Sequence, residues 1–137
     1  MEPLIVTTQI NSPLEKVWEC FTEPEHIIHW NFAHESWHCP KAENDFQIGG
    51  EFFYTMAAKD KSASFIFHGT YTEIIPHQKI VYHIEDGRKV EVFFHVTEEG
   101  LVEIFERFEP ETINALELQE QGWQAILNQF KKYVEEL

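Results

Sequence analysis

A long amphipathic helix at the C-terminal end constrains the fold of this chain more than any other feature of its sequence. Over residues 115–137, apolar side chains recur at steps of three and four and form one stripe, while most charged side chains fall elsewhere. Gly122 interrupts the helix, at a cost of about 1 kcal/mol relative to alanine. Either close packing against a strand or space left beside Gly122 and Trp123 for a bound molecule would explain the glycine.

The segments before this helix predict an early strand, two short helices and a series of antiparallel strands. Residues 4–10 form a β-rich run, and Ser12 as N-cap with Pro13 at the first helical position predicts a helix that ends near Thr22. A second short helix is predicted over residues 24–30, and residues 31–45 are irregular. Turn signals separate five further predicted strands, at residues 51–59, 64–75, 79–85, 88–97 and 101–109.

This order, β-αα-β-β-β-β-β-α, predicts an α+β fold in which a strongly curved antiparallel sheet wraps around the long C-terminal helix. The 137 residues, 43% of them hydrophobic, suffice for one core, so we expect a single domain over residues 1–137. Aromatic residues make up 15% of the chain, which is more ring volume than a tight two-layer core packs without gaps. The sequence therefore predicts a cavity.

The acidic composition limits the partners of the protein. A net charge of -14 repels phosphate backbones and anionic lipids, so we expect neither a nucleic acid nor a membrane surface as partner. The sequence has no apolar run of about 18 residues and no signal-peptide pattern, which favours the cytoplasm. Cys20 and Cys39 are too few for a disulfide framework, and we expect both to be reduced. The expected partner is uncharged, basic or enclosed in a pocket.

Several short motifs resemble those of a known family. They are Ile10-Asn11-Ser12-Pro13 with Val17-Trp18, residues 24–30, Asn44-Asp45-Phe46 before Gly49-Gly50, Gly69-Thr70-Tyr71 with Ile75-Pro76, and Gly122-Trp123. On the strength of these motifs, which are spread along essentially the whole chain, the sequence resembles the SRPBCC (START/Bet v1-like) helix-grip superfamily. Within it, the chain is similar to the AHSA1-type domains, such as the C-terminal domain of the Hsp90 ATPase activator.

The resemblance implies the helix-grip fold but no single function. Relatives in the superfamily bind lipids, hormones and polyketides, catalyse cyclisation or hydration, or act as protein partners. The Hsp90 co-chaperone has a further N-terminal domain with no counterpart in these residues, so we expect a function other than Hsp90 activation.

A set of aromatic side chains is predicted to line a cavity between the sheet and the long helix, and the resemblance carries most of this prediction. Its members are Trp30, Phe46, Tyr54, Phe67, Tyr82, Phe94 and Trp123. Such pockets bind through apolar walls and orient the ligand with a few polar groups. The tyrosine hydroxyls and the indole N–H groups of Trp30 and Trp123 are the candidates for these orienting polar groups. The alternative is that the same rings simply fill the core.

Glu106 is the candidate for acid or base chemistry. Val102, Ile104 and Phe108 share its parity on one strand, so its carboxyl would face the cavity, where burial would raise its pKa. A bulge that leaves Glu106 exposed is the alternative. The sequence has no G-x-S-x-G elbow, no context that would lower a cysteine pKa, and no phosphate loop or dinucleotide fingerprint, so we expect no bound cofactor.

Histidines are plentiful but do not favour a metal site. His26, His29, His34 and His38 crowd one segment with Cys39, yet their spacing suits a solvated loop better than a tetrahedral zinc site, and no metal is expected. In the later strands, His83 and His95 are out of phase with their apolar neighbours and are expected to be exposed.

The sequence therefore predicts a protein that binds a small hydrophobic or aromatic ligand. Two alternatives stay open. One is a protein-interaction domain of stress response or chaperone regulation, and the other is a cyclase-like or hydrolase-like enzyme acting on an aromatic or polyketide-like substrate. The sequence does not decide whether the protein is an enzyme, but its lack of a nucleophile motif favours binding.

Overall fold

Seven antiparallel strands and three helices make up the computed structural model of the protein, which describes residues 2–137. In chain order the elements are β1 (Leu4–Ile10), α1 (Leu14–Thr22), α2 (Pro24–Ile27), β2 (Trp37–Asn44), β3 (Glu51–Ala58), β4 (Ser64–Ile75), β5 (Lys79–Ile84), β6 (Lys89–Val96), β7 (Val102–Phe108) and α3 (Leu116–Glu136). No helix within these residues is long and apolar enough to span a membrane.

The strands form one sheet in the order β1-β7-β6-β5-β4-β3-β2, and it curls into a half-barrel around α3. The first strand pairs with the last, with Leu4 opposite Phe108 and Ile10 opposite Val102. Because β1 and β2 are the two edge strands, α1 and α2 connect opposite edges of the sheet. The predicted α+β helix-grip fold is confirmed.

The long helix is buried most completely in its C-terminal half. Leu127, Phe130 and Val134 are fully enclosed there, and the rings of Phe21 and Trp30 pack edge-on against Phe130, with centroids 5.4 and 4.8 Å away. The N-terminal half of the helix contacts the sheet differently. There Trp123 stacks on Phe108 of β7 with centroids 4.1 Å apart, which leaves room between the helix and the middle of the sheet.

The strand β2 is the main departure from the sequence prediction, which has residues 31–45 as irregular. Pro40 lacks the N–H that a sheet hydrogen bond needs, so the segment does not look like a strand in sequence. In the structure it lies at the edge of the sheet, and its register with β3 shifts between His38 and Lys41. A proline at an edge irregularity is compatible with a strand.

The two short helices also differ from their predicted bounds. Pro13, not Ser12, is the N-cap of α1, since the Pro13 carbonyl accepts the first helical hydrogen bond from Val17 at 3.0 Å. The α2 helix ends at Ile27 rather than at residue 30. The next N–H groups, those of His29 and Trp30, bond to carbonyls three residues back, which tightens the chain into a turn.

Two glycines occupy opposite environments. A Cβ added at Gly69 in β4 would lie 2.5 Å from two ring atoms of Phe52. A Cβ added at Gly122 in α3 would meet no heavy atom of residues 2–137 within 4 Å, apart from the backbone of its own helix. The close-packing explanation for Gly122 is therefore wrong. On the same face of α3, Gln119 and Ile126 line the cavity described below.

Alanine substitution of these glycines should change stability in opposite directions. Gly69→Ala should lower the free energy of unfolding by about 1–3 kcal/mol because Phe52 would have to move. Gly122→Ala should raise it by about 0.5–1 kcal/mol because alanine favours the helix and fits the open space. Urea unfolding followed by circular dichroism measures both, and an unchanged midpoint for Gly69→Ala would contradict the close contact with Phe52.

Candidate ligand-binding site

A cavity of about 310 Å³ lies between the concave face of the sheet and α3. Its walls come mainly from the inward-facing side chains of β3, β4 and β5 and from one face of the helix. Five of the seven aromatic residues chosen from the sequence line it, namely Trp30, Tyr54, Phe67, Tyr82 and Trp123. The structure thus brings most of the predicted set together around one space.

Phe46 and Phe94, the other two members of the predicted set, are not on the cavity wall. Phe46 lies between β2 and β3, where its ring packs edge-on against Trp18 with centroids 5.7 Å apart. Phe94 packs against the same indole at 5.0 Å and against Phe21 at 5.4 Å. Helix α1 covers this end of the sheet, so Trp18 takes up the space that these rings would otherwise face.

The sequence analysis missed other aromatic residues of the wall. They are Phe21, Phe52, Phe65 and Tyr71. The signal for three of them is alternation, because Phe52 shares its strand parity with Tyr54, and Phe65 and Tyr71 share theirs with Phe67. Extending the chosen residues along their strands in steps of two, by one step to Phe52 and Phe65 and by two steps to Tyr71, would have found these three.

Tyrosine hydroxyls provide part of the polar lining. The Tyr54 and Tyr71 hydroxyl oxygens are 3.5 Å apart, and Tyr71 donates a 2.6 Å hydrogen bond to Asn44. Burial raises the pKa of Tyr71 to about 12 and that of Tyr54 well above 10. Trp30 does not contribute its N–H, since it donates to the Cys20 carbonyl at 2.9 Å. That part of the sequence prediction is wrong.

Glu106 is the buried acidic group of the cavity wall. It shares the inward face of β7 with Val102, Ile104 and Phe108, it is only 7% exposed, and it lines the cavity wall. Its carboxyl makes no hydrogen bond or ion pair with another side chain within residues 2–137, and burial alone raises its pKa from 4.5 to about 8. At neutral pH this carboxyl is therefore mostly protonated.

A polar cluster that the sequence analysis missed borders the cavity where α3 begins. The Gln119 side chain accepts a hydrogen bond from the Glu111 N–H at 2.9 Å and donates to the carbonyls of Glu111 and Asn114 at 3.0 and 2.9 Å. All three residues line the cavity, as does Arg88, whose guanidinium is bound to Asp86 at 2.8 Å. This cluster fixes the segment between β7 and α3 against the cavity.

Two of the four crowded histidines, His26 and His29, pack against the far end of α3. His26 makes a 2.7 Å hydrogen bond with the Tyr133 hydroxyl, and the His29 ring stacks on the same tyrosine at 5.5 Å. Nowhere in residues 2–137 do three His, Cys, Asp or Glu side chains come together as metal ligands. His95 is exposed as expected, and His83 is half-buried.

Neither cysteine has the environment of a nucleophile. Both thiols are free and buried. Burial raises the pKa of Cys39 to about 11, and it also raises that of Cys20. Thiolate chemistry at neutral pH is therefore disfavoured at both positions.

Comparison with known proteins identifies the family. The family model described as "Activator of Hsp90 ATPase homolog 1-like protein" (AHSA1) matches residues 11–135. The chain belongs to the AHSA1 family. The resemblance drawn from the sequence motifs is thus confirmed. No curated protein matches this AHSA1 protein.

Solved structures share its fold over nearly their whole length. An AHSA1-like protein from Aeromonas hydrophila is 37% identical, with a TM-score of 0.88 over 97% of this chain and 93% of the other. A protein from Cytophaga hutchinsonii is 46% identical, with a TM-score of 0.83 over 98% and 92%. One from Chromobacterium violaceum is 22% identical with a TM-score of 0.86 over 98% and 99%, a similarity of fold alone. AHSA1-like folds suggest ligand binding or Hsp90-activator-like roles.

The burial of Glu106 should make stability depend on pH. Between about pH 4.5 and 8 the folded state keeps the Glu106 proton that the unfolded state has lost, so unfolding becomes easier by about 1.4 kcal/mol per pH unit. Glu106→Gln removes this pH-dependent loss of stability, because the glutamine amide does not ionise. At about pH 9 the variant should exceed wild type by on the order of 5 kcal/mol, and near pH 4 the two should agree.

Urea unfolding across this pH range measures the effect. Glu103→Gln is the matched control, since Glu103 lies on the opposite, half-exposed face of the same strand. It should follow the wild-type curve. Parallel curves for wild type and Glu106→Gln would mean that the carboxyl is hydrated in solution.

Proposed function

We propose that this AHSA1 protein is a single-domain binding protein for a small hydrophobic or aromatic molecule, which occupies the cavity between the sheet and α3. The observation that carries the proposal is the aromatic cavity itself, at about 310 Å³. This volume lies at the lower end of the range of about 300–1,000 Å³ that is typical of small-molecule sites. A core whose only task was stability would be filled to near crystal density.

The lining supports an aromatic or aliphatic ligand with few polar groups. Rings from the sheet line the cavity together with Trp123 and Ile126 of the helix. Apart from the Gln119 cluster at the border, the polar side chains of the wall are few, Tyr54, Tyr82 and Glu106 among them. Apolar walls provide most of the affinity in such sites, and isolated polar groups fix the orientation. The net charge of -14 disfavours anionic ligands. We propose a cytoplasmic location for this binding protein.

Catalysis is the second candidate, and Glu106 is the observation in its favour. A carboxyl with a pKa of about 8 can hold or accept a proton near neutral pH, which suits a general acid or base. An aromatic or polyketide-like substrate would meet this group inside the cavity. Turnover that is lost in Glu106→Gln while binding persists would establish this role.

Filling the cavity should abolish binding. Ile126 lines the cavity, so Ile126→Phe should occupy part of the ligand volume and lower affinity at least about tenfold, as expected for a site limited by shape. Lys132→Phe is the matched control, because it adds the same ring at an exposed position of the same helix. It should leave affinity unchanged.

The measurement is an NMR titration with a mixed library of aromatic, flavonoid-like, fatty and steroid-like compounds. The indole signal of Trp123 should shift saturably in wild type, while that of Trp18, which lies outside the cavity lining, should stay in place. If no compound moves Trp123, the small-molecule proposal fails and a protein partner becomes the leading explanation. Equal affinity for wild type and Ile126→Phe would locate binding elsewhere.

A further inference from the structure

We propose that the ligand of this cavity carries a protonated amine, which pairs with the Glu106 carboxylate while its apolar body contacts the aromatic walls. This inference rests on the proposed function and narrows it to one class of ligand, organic amines with an aromatic or aliphatic frame. In this proposal, the Glu106 carboxylate binds the positively charged group of the ligand.

The Glu106 carboxyl has no partner of its own among residues 2–137. A buried carboxyl is normally paired or hydrogen-bonded, because a lone buried charge is costly. Here the side chain is 7% exposed, lines the cavity, and makes no hydrogen bond or ion pair with another side chain of residues 2–137. A cation within the cavity would supply the missing partner.

The other charged groups that line the cavity already have hydrogen-bond partners. The Arg88 guanidinium is bound to Asp86 at 2.8 Å, and the Glu111 carboxylate accepts bonds from Asn114 at 2.7 and 3.2 Å. Tyr82 lies near Glu106, and after burial the Glu106 charge is the largest cause that raises the pKa of this tyrosine. Tyr82 therefore stays a neutral phenol that can donate a hydrogen bond.

The walls and the surface charge favour a cation as well. Aromatic rings attract ammonium groups, most strongly when the site excludes water, and the rings of Trp123, Tyr82 and Phe52 line this cavity. The net charge of -14 raises the local concentration of cations around the protein. The same net charge disfavours the approach of anionic ligands.

Binding of an amine requires a defined proton balance. Below about pH 8 the Glu106 carboxyl is protonated before the ligand arrives, so the complex of ammonium and carboxylate forms with release of one proton to solvent. Affinity should therefore rise about tenfold per pH unit up to about pH 8 and then level off while the amine remains charged. Tyr82 does not reproduce this slope, since burial and the Glu106 charge raise its pKa well above 10. Arg88 and Glu111 keep the hydrogen bonds to Asp86 and Asn114 described above.

The test compares naphthylethylamine with naphthylethanol, its neutral counterpart of similar shape, by isothermal titration calorimetry. Titrations from about pH 6 to 9, in buffers that differ in ionisation enthalpy, give both the affinity and the number of protons released. Wild type should bind the amine at least about tenfold more tightly than the alcohol at about pH 8. It should release close to one proton per amine at about pH 6 and none at about pH 9.

Glu106→Gln and Glu103→Gln complete the experiment. Glu106→Gln should bind both probes alike, without a pH slope, and Glu103→Gln, altered on the other face of β7, should behave as wild type. The wild-type pH profile and proton count test the proposal even if Glu106→Gln does not fold.

The outcomes separate the two proposals. If the alcohol binds as well as the amine, or if affinity falls as pH rises through about 8, the carboxyl acts as a neutral hydrogen-bond donor. The amine proposal is then overturned, while ligand binding in the cavity stands. If neither probe binds and the mixed library moves no Trp123 signal, both proposals fall together.

Discussion

The seating of α3 on the curled sheet determines where this domain has a solid core and where it has a cavity. In the C-terminal half of the helix, Phe130 is held between the short helices and the sheet by Phe21 and Trp30. In the N-terminal half, the stacking of Trp123 on Phe108 sets the distance to the sheet. An aromatic pair of this kind contributes about 0.5–1.5 kcal/mol beyond its buried area. The Trp123–Phe108 pair also sets a minimum distance, because two rings in contact prevent the helix from approaching the strands more closely.

The sequence predicted the order of elements well wherever one physical signal dominated. The helical stripe of α3 and the alternation in β3 to β7 are strong local patterns, and both survive in the structure. The strand β2 was not predicted, because Pro40 weakens the local sequence pattern of a strand. The segment becomes a strand through its pairing with β3. The sequence predicted that aromatic side chains line the cavity, but it did not identify all of these residues correctly. Whether a ring such as Phe46 or Phe94 faces the cavity depends on where Trp18 of α1 lies, which is a contact distant in sequence.

Glu106 shows how a local pattern and a tertiary environment combine. Parity on β7 is enough to predict that its side chain faces inward, but the absence of a neighbouring partner emerges only when all the strands are assembled. Its ionisation opposes folding by about 5 kcal/mol at high pH, which is comparable to the whole stability of many small domains. Residues that break the rules of a well-packed core at such a cost are concentrated at functional sites.

The Gln119 amide has a consequence for how freely the border of the cavity can vary between proteins of this kind. Its three hydrogen bonds to the segment between β7 and α3 all end on main-chain atoms, those of Glu111 and Asn114. The path of the backbone is therefore independent of the intervening side chains, and Ile113 is 88% exposed. Substitutions at residues 112 and 113, which do not line the cavity, can therefore accumulate while Glu111 and Asn114 stay in place at its border, at little cost in stability.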